Sequence, residues 1–127
     1  MSLWAILAAP LLAGNDLRSM SPAIIAILTN GEVIAVDQDK DGKQGTRVWK
    51  SGDQEIWTRP LSGRAHAVAL FNRAAEPAKV SVRWSDLGIS RSAHVRDLWE
   101  HKDAEGAWPE YSVMIPGHGV VMLRVSR

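Results

Sequence analysis

The sequence contains no cysteine. That excludes a disulfide framework and thiolate-ligated metal sites, while saying little about the compartment. Phenylalanine and tyrosine occur once each, against six tryptophans. Charge of one sign is concentrated nowhere: 15 basic and 14 acidic residues are scattered, for a net charge of +1. The chain therefore has no electrostatic footprint for nucleic acid and no global pull toward a membrane. No apolar run reaches the roughly 20 residues that span a bilayer. No lysine or arginine precedes Arg18, so the positive start of a secretion signal is missing, and the small residues at Ala13-Gly14 make a poor cleavage site. Internal repeats and low-complexity tracts are absent.

Motifs for chemistry are equally sparse. The four histidines (His66, His94, His101, His118) form no i, i+4 pair and no His-x-His, which argues against a metal site. No G-x-S-x-G elbow raises a serine. Lys43, Arg47, Arg59 and Arg64 suggest a basic patch, but acidic residues are interspersed. Residues 37–42, DQDKDG, match the first half of a calcium loop. The bidentate acid needed at loop position twelve is replaced by Val48, and Gln44 stands where an apolar residue belongs. An EF-hand is thereby excluded. A looser site on Asp37, Asp39 and Asp41 is left as the alternative to a solvated loop.

What the chain does have is an unusual beginning. Residues 3–12 are all apolar, with none of the polar positions a surface helix would show, so burial on every side is expected. Polar Gly14-Asn15-Asp16 follows at once. The pattern suits a buried helix running into a buried strand whose far end faces a ligand in α/β folds. The rest of a parallel sheet would have to precede it, so the chain reads as starting inside a larger fold. Ser21-Pro22 then opens a short helix that ends at Asn30-Gly31. Residues 32–36, EVIAV, fit either a strand or another helical turn.

Beyond the turn-rich residues 37–45 the periodicity switches to two. Residues 46–50, 54–60, 65–72, 78–84, 93–99, 111–115 and 119–125 read as strands, separated by turn signals. Short strands at this spacing mean an antiparallel sandwich or barrel. Alternation points Ile56, Val68, Leu70, Val80, Val82, Val95, Val113, Ile115, Val121 and Leu123 inward. The last strands are apolar on both faces, so the N-terminal segment should cover one of them. The expected fold is mainly β: an antiparallel sandwich or barrel, residues 46–127 (a Greek-key sandwich by the resemblance described next), joined through a linker, 37–45, to a helical and α/β segment, 1–36.

At the level of particular residues the chain resembles a known family. Residues 1–18 (MSLWAILAAPLLAGNDLR), 34–45 (IAVDQDKDGKQG), Glu55-Ile56-Trp57, Arg59-Pro60-Leu61, 67–73 (AVALFNR), 84–88 (WSDLG), 95–99 (VRDLW) and 116–123 (PGHGVVML) resemble the C-terminal part of the α-galactosidases of glycoside hydrolase family 27. They occur in the family's order and cover nearly the whole chain. The resemblance implies a (β/α)8 barrel followed by an antiparallel sandwich, with residues 10–16 on the eighth barrel strand. It implies retaining cleavage of terminal α-galactosides by one nucleophilic aspartate and one acid–base aspartate. Both would lie on barrel strands upstream, so no catalytic or substrate-binding residue carries over. Asn15 and Asp16 match positions that support the site rather than react. Lys40-Asp41 departs from the usual Pro-Leu. No cofactor is expected, the partner is a galactoside held by the missing barrel, and neither nucleic acid nor membrane is implied. Family members commonly act outside the cytoplasm or in the periplasm.

Three functions follow for the chain as given. It can descend from a hydrolase and be incapable of turnover alone, it can be a structural domain supporting a barrel, or it can be a module whose exposed tryptophans hold sugar. Trp57, Trp84 and Trp99 sit in strand contexts where buried rings are expected, which favours the structural role. A barrel segment without its neighbours would also leave apolar surface bare. Homodimerisation through it, or folding back onto the sandwich, is the expected remedy.

Overall fold

The computed structural model describes residues 1–89, 94–105 and 109–126. Three short helices come first: α1 (Ser2–Leu7), α2 (Pro22–Leu28) and α3 (Gly31–Asp37). Eight strands follow among the described residues: β1 (Thr46–Ser51), β2 (Gln54–Leu61), β3 (Ala65–Asn72), β4 (Ala78–Arg83), β5 (His94–Asp97), β6 (Lys102–Asp103), β7 (Glu110–Ile115) and β8 (Val120–Ser126). All seven expected strands are present, and β6 is additional. Ala93 and Gly106, expected at a strand start and in a turn, lie outside the described residues.

The strands form two antiparallel sheets, one of six strands in the order β1-β2-β3-β8-β5-β6 and one of two, β4-β7. β1, β2 and β3 are joined as successive hairpins. The chain then crosses to the small sheet and back twice before β8 returns between β3 and β5. Ile56, Val68, Leu70, Val80, Val82, Trp84, Val95, Ile115, Leu123 and Val125 fill the space between the sheets, with Val113 and Val121 packed against them. Every residue the alternation pointed inward is in this core.

A second apolar cluster lies on the outer face of the large sheet. There Ala5 and Ile6 of α1 and Val33 and Val36 of α3 pack on Leu61, Ala65, Ala67, Ala69, Leu98 and Met122. Alanines at alternate positions of β3 keep that face flat, so helices can lie close to it. The N-terminal segment thus covers the second apolar face of the sheet, as the sequence pattern requires.

The helices are started by side chains. Ser21 Oγ accepts from the Ile24 amide at 3.3 Å with Pro22 in the first turn, and Asn30 Oδ1 accepts from the Glu32 and Val33 amides at 3.0 and 3.1 Å. Asn30 resolves the ambiguity of residues 32–36 in favour of helix, because its cap fixes the first turn of α3. One expectation fails. Residues 10–16 form no strand, and Leu12 and Leu17 are 80% and 73% exposed. A strand needs a neighbour to complete its ladder, and no described strand lies beside this one. The bare apolar surface expected of a barrel segment without its neighbours is found on α2, none of whose residues is buried.

Two glycines are needed for close approach. Gly45 donates its amide to the Ile6 carbonyl at 2.8 Å, and a Cβ there would lie 2.5 Å from Ile6 Cγ2. At Gly117 a Cβ would collide with the Ala75 carbonyl. Buried Asn72 ties the same two loops together. Its amide donates to the carbonyls of Glu76, Ile115 and Pro116 at 2.8, 3.1 and 3.2 Å, and its oxygen accepts from the Ala74 amide at 3.1 Å.

Candidate functional site

The most elaborated surface is the one where α1 and α3 meet the large sheet. Glu55, Trp57, Arg59 and Leu61 alternate along β2 and so share its outer face. Arg59 is fully buried there. Its guanidinium donates to the Ala5 carbonyl at 2.6 Å and the Asp37 carbonyl at 3.2 Å. One side chain of the sheet thus satisfies carbonyls from both α1 and α3. Arg59 is therefore no part of a basic surface.

Further bonds hold the helices down. The Asn30 amide donates to the Leu98 carbonyl at 2.8 Å, and the Trp99 indole donates to Ser2 Oγ at 2.9 Å. Arg96 makes a two-pronged bond to Glu32 at 2.7 and 2.9 Å, and His101 Nδ1 lies 2.6 Å from the same carboxylate. The Arg96 bonds hold the Glu32 carboxyl down, from an ordinary 4.5 to about 2; His101 adds to this and burial opposes it. Asp103, bonded to His94 and Arg96, is held below the usual carboxylate range as well.

The opposite side of the helical segment is unfinished. Trp4, Leu12, Leu17, Ile24, Ile25 and Ile27 are exposed. A cleft of about 330 Å³ opens between Trp4, Leu11, Leu12, Ile27, Leu28 and Ile34. Asn15 and Asp16 lie on the exposed turn that follows this cleft's rim. Asp16 accepts from Arg18 Nε at 3.1 Å and from the Arg18 amide at 3.0 Å, which holds its carboxyl below the usual range.

The partial calcium motif is used otherwise. Asp39 turns to the 62–64 turn, where its carboxylate accepts from the Ser62 amide at 3.1 Å and from Ser62 Oγ at 2.7 Å. Asp41 lies 3.8 Å from Lys43 Nζ. Asp37 Oδ1 is buried without a hydrogen-bond partner among the described residues, and burial raises its carboxyl against the pull of Arg59. Among the described residues no three His, Asp or Glu side chains come together to hold a cation.

Of the three tryptophans expected to be buried, only Trp84 is fully so; Trp57 and Trp99 are half-buried. Trp57 is fixed by a 2.8 Å bond to Glu55, itself 3.3 to 3.7 Å from Arg47, Lys50 and Arg73. Sequence reasoning did not single out Glu32, Arg96 or His101, because nothing in their spacing signals that α3 lies over β5.

A two-layer antiparallel sandwich thus carries a helical layer on its outer face, and that layer leaves apolar residues exposed on its other side. Residues 51–125 match the family described as alpha galactosidase C-terminal beta sandwich domain, and residues 1–39 match alpha galactosidase A. The chain belongs to the α-galactosidase C-terminal β-sandwich family. Alpha-galactosidase 2 of Arabidopsis thaliana is 43% identical over 128 residues, which span 99% of this chain and 32% of that protein. Alpha-galactosidase of Coffea arabica is 46% identical over 92% of this chain and 32% of its own. The crystal structure of alpha-galactosidase I from Mortierella vinacea superposes with a TM-score of 0.92 at 33% identity, over 98% of this chain and 33% of that one. A family 27 β-L-arabinopyranosidase from Geobacillus stearothermophilus superposes equally well, with a TM-score of 0.92 at 28% identity, covering 99% of this chain and 28% of that one. The chain thus spans about a third of the length of the curated relatives it matches.

Proposed function

We propose that this chain is the closing segment and supporting sandwich of an α-galactosidase-like glycoside hydrolase, and that it does not turn over substrate alone. In this reading residues 1–36 supply the last helix-strand-helix of a (β/α)8 barrel, 37–45 the linker, and 46–127 the sandwich. The observation that carries it is the two-sided N-terminal segment. α1 and α3 are fastened to the sheet through residues such as Ala5, Ile6, Val33 and Val36, while Trp4, Leu12, Leu17, Ile24, Ile25 and Ile27 are exposed on the other side. That is the surface expected of a barrel's last unit.

A retaining glycosidase needs two carboxyl groups roughly 5 Å apart across the scissile bond. The nucleophile and the acid–base group would come from the rest of the barrel. Asn15 and Asp16, at the end of the 10–16 segment, would support the site once neighbouring strands order that segment. The sugar itself would be chosen by the barrel, since relatives named for galactosides and for β-L-arabinopyranosides share this segment.

The test is the mass of the native product in its source cells, by immunoblot with an antibody to the sandwich. A band far above 13.9 kDa supports the reading; a sole band at 13.9 kDa overturns it. In that second case the bare apolar surface would make a homodimer the expected state, seen by sedimentation as a doubled mass.

A further inference from the structure

The open edge of the sandwich carries a groove that none of the contacts described so far uses. It lies between β1 and β2 of the large sheet and β4 of the small one, continues to the 84–87 turn, and encloses about 560 Å³. Its apolar wall is Trp49, backed by Val48 and Ile56.

Strand pairing shows how the indole arrives there. Arg47 opposes Trp57, and Trp49 opposes Ile56, so two steps along β1 answer one along β2 and Val48 is the extra residue of a β-bulge. In a regular strand Arg47 and Trp49 would share a face. The bulge turns Trp49 to the face of Ile56, which belongs to the inter-sheet core. Arg47 stays on the outer face, with its guanidinium 5.8 Å from the Trp57 ring. Among the described residues the small sheet has two strands, and β1 is exposed along its length. Trp49 is consequently aimed between the sheets yet 42% exposed. A bulge that re-aims a large aromatic ring into an open groove is a positioned feature rather than an incidental one.

Polar groups line the rest. Ser81, Arg83, Asp86 and Glu110 border the same space; Ser81 and Arg83 alternate with the core residues Val80 and Val82, so they offer the groove their strand edge while Arg83 Nε meets Glu110 at 3.5 Å on the outer face of the small sheet. One guanidinium against two carboxylates disfavours an anionic ligand. An indole face beside directional donors and acceptors matches a pyranose, which presents a C–H face and a rim of hydroxyls. The volume lies within the range of small-ligand sites, roughly 300–1,000 Å³. A peptide strand adding to the β1 edge is the rival occupant, and the bulge works against it by interrupting the ladder.

We propose that this groove is a non-catalytic site for the sugar rings of a neutral polysaccharide, with Trp49 as the stacking platform. The site does not depend on the hydrolase reading, because it lies wholly within the sandwich.

The test is native electrophoresis of the full 127-residue chain through gels with and without galactomannan. The chain is expected to be retarded by galactomannan. Trp49→Ala should weaken that retardation by at least about tenfold, the effect of losing an aromatic anchor. Trp4→Ala, which alters an exposed indole of α1, should leave it unchanged. Asp86→Ala, a change on the 84–87 turn that borders the groove, serves as a second variant should Trp49→Ala disturb the far-ultraviolet circular dichroism, and should weaken retardation in the same direction. Unretarded wild-type protein, retardation that survives both groove variants, or retardation lost in Trp4→Ala would each overturn the proposal. None of these outcomes touches hydrolysis, which is measured separately.

Discussion

Asn72 and Arg59 show how much a single polar side chain can organise in this molecule. Asn72 donates to three carbonyls and accepts from one amide of two loops that meet at Gly117. Removing it leaves buried acceptors unpaired, at a cost of about 1–3 kcal/mol each where water cannot enter. Asn72→Ala should therefore destabilise the chain by about 3 kcal/mol in urea denaturation, with an unchanged m-value. Arg59→Ala should act differently. It strands carbonyls of both helices and leaves a cavity beneath them, so the loss should fall mainly on the helical layer. Hydrogen exchange should show faster exchange in 2–7 and 31–37 than in β2 and β3, whereas uniform acceleration across the sheet would contradict the role given to Arg59.

At the scale of elements, α3 is joined to β5 by charge. The Glu32 carboxylate, held at about 2 by Arg96 and His101, favours the docked helix whenever it is ionised. Because its folded value lies below the ordinary 4.5, the contribution is complete above about pH 4.5 and is lost as the pH falls toward 2. Asp103 is shifted the same way and adds to the trend. Acid titration followed by Trp99 fluorescence should show the helical layer loosening in that window. Glu32→Gln should flatten the transition and lower stability at neutral pH. This element-level link was illegible in the sequence, since Glu32 and Arg96 are 64 residues apart and both look like ordinary surface charges. The strands were legible because alternation directly reports a half-buried sheet. The bulge at Val48 was not, because a run such as Thr46-Arg47-Val48-Trp49 reads the same with or without it. Residues 10–16 misled for a related reason: apolarity announces burial, but the partner that buries it need not lie within the chain.

For the whole molecule, the decisive quantity is the bare apolar surface on residues 4–28. Soluble monomers rarely expose contiguous apolar patches beyond a few hundred Å². The isolated chain should self-associate with rising concentration in sedimentation velocity experiments. Leu12→Lys combined with Ile27→Lys should shift it toward monomer while the near-ultraviolet signal of Trp84 persists. The same isolated chain should release no nitrophenol from a nitrophenyl α-galactoside, and measurable turnover would refute its assignment as a support.

The way α1 and α3 are fastened has a practical consequence for anyone transplanting this module. The two family matches abut between residues 39 and 51, which invites a cut there. Such a cut would strip Leu61, Ala65, Ala67, Leu98 and Met122 of their cover and leave the Arg59 guanidinium without its carbonyls. The seam in ancestry runs through the linker, whereas the seam in packing runs along the far side of the helices. A graft that respects the second seam carries its own lid, and one that follows the first arrives with its roof removed.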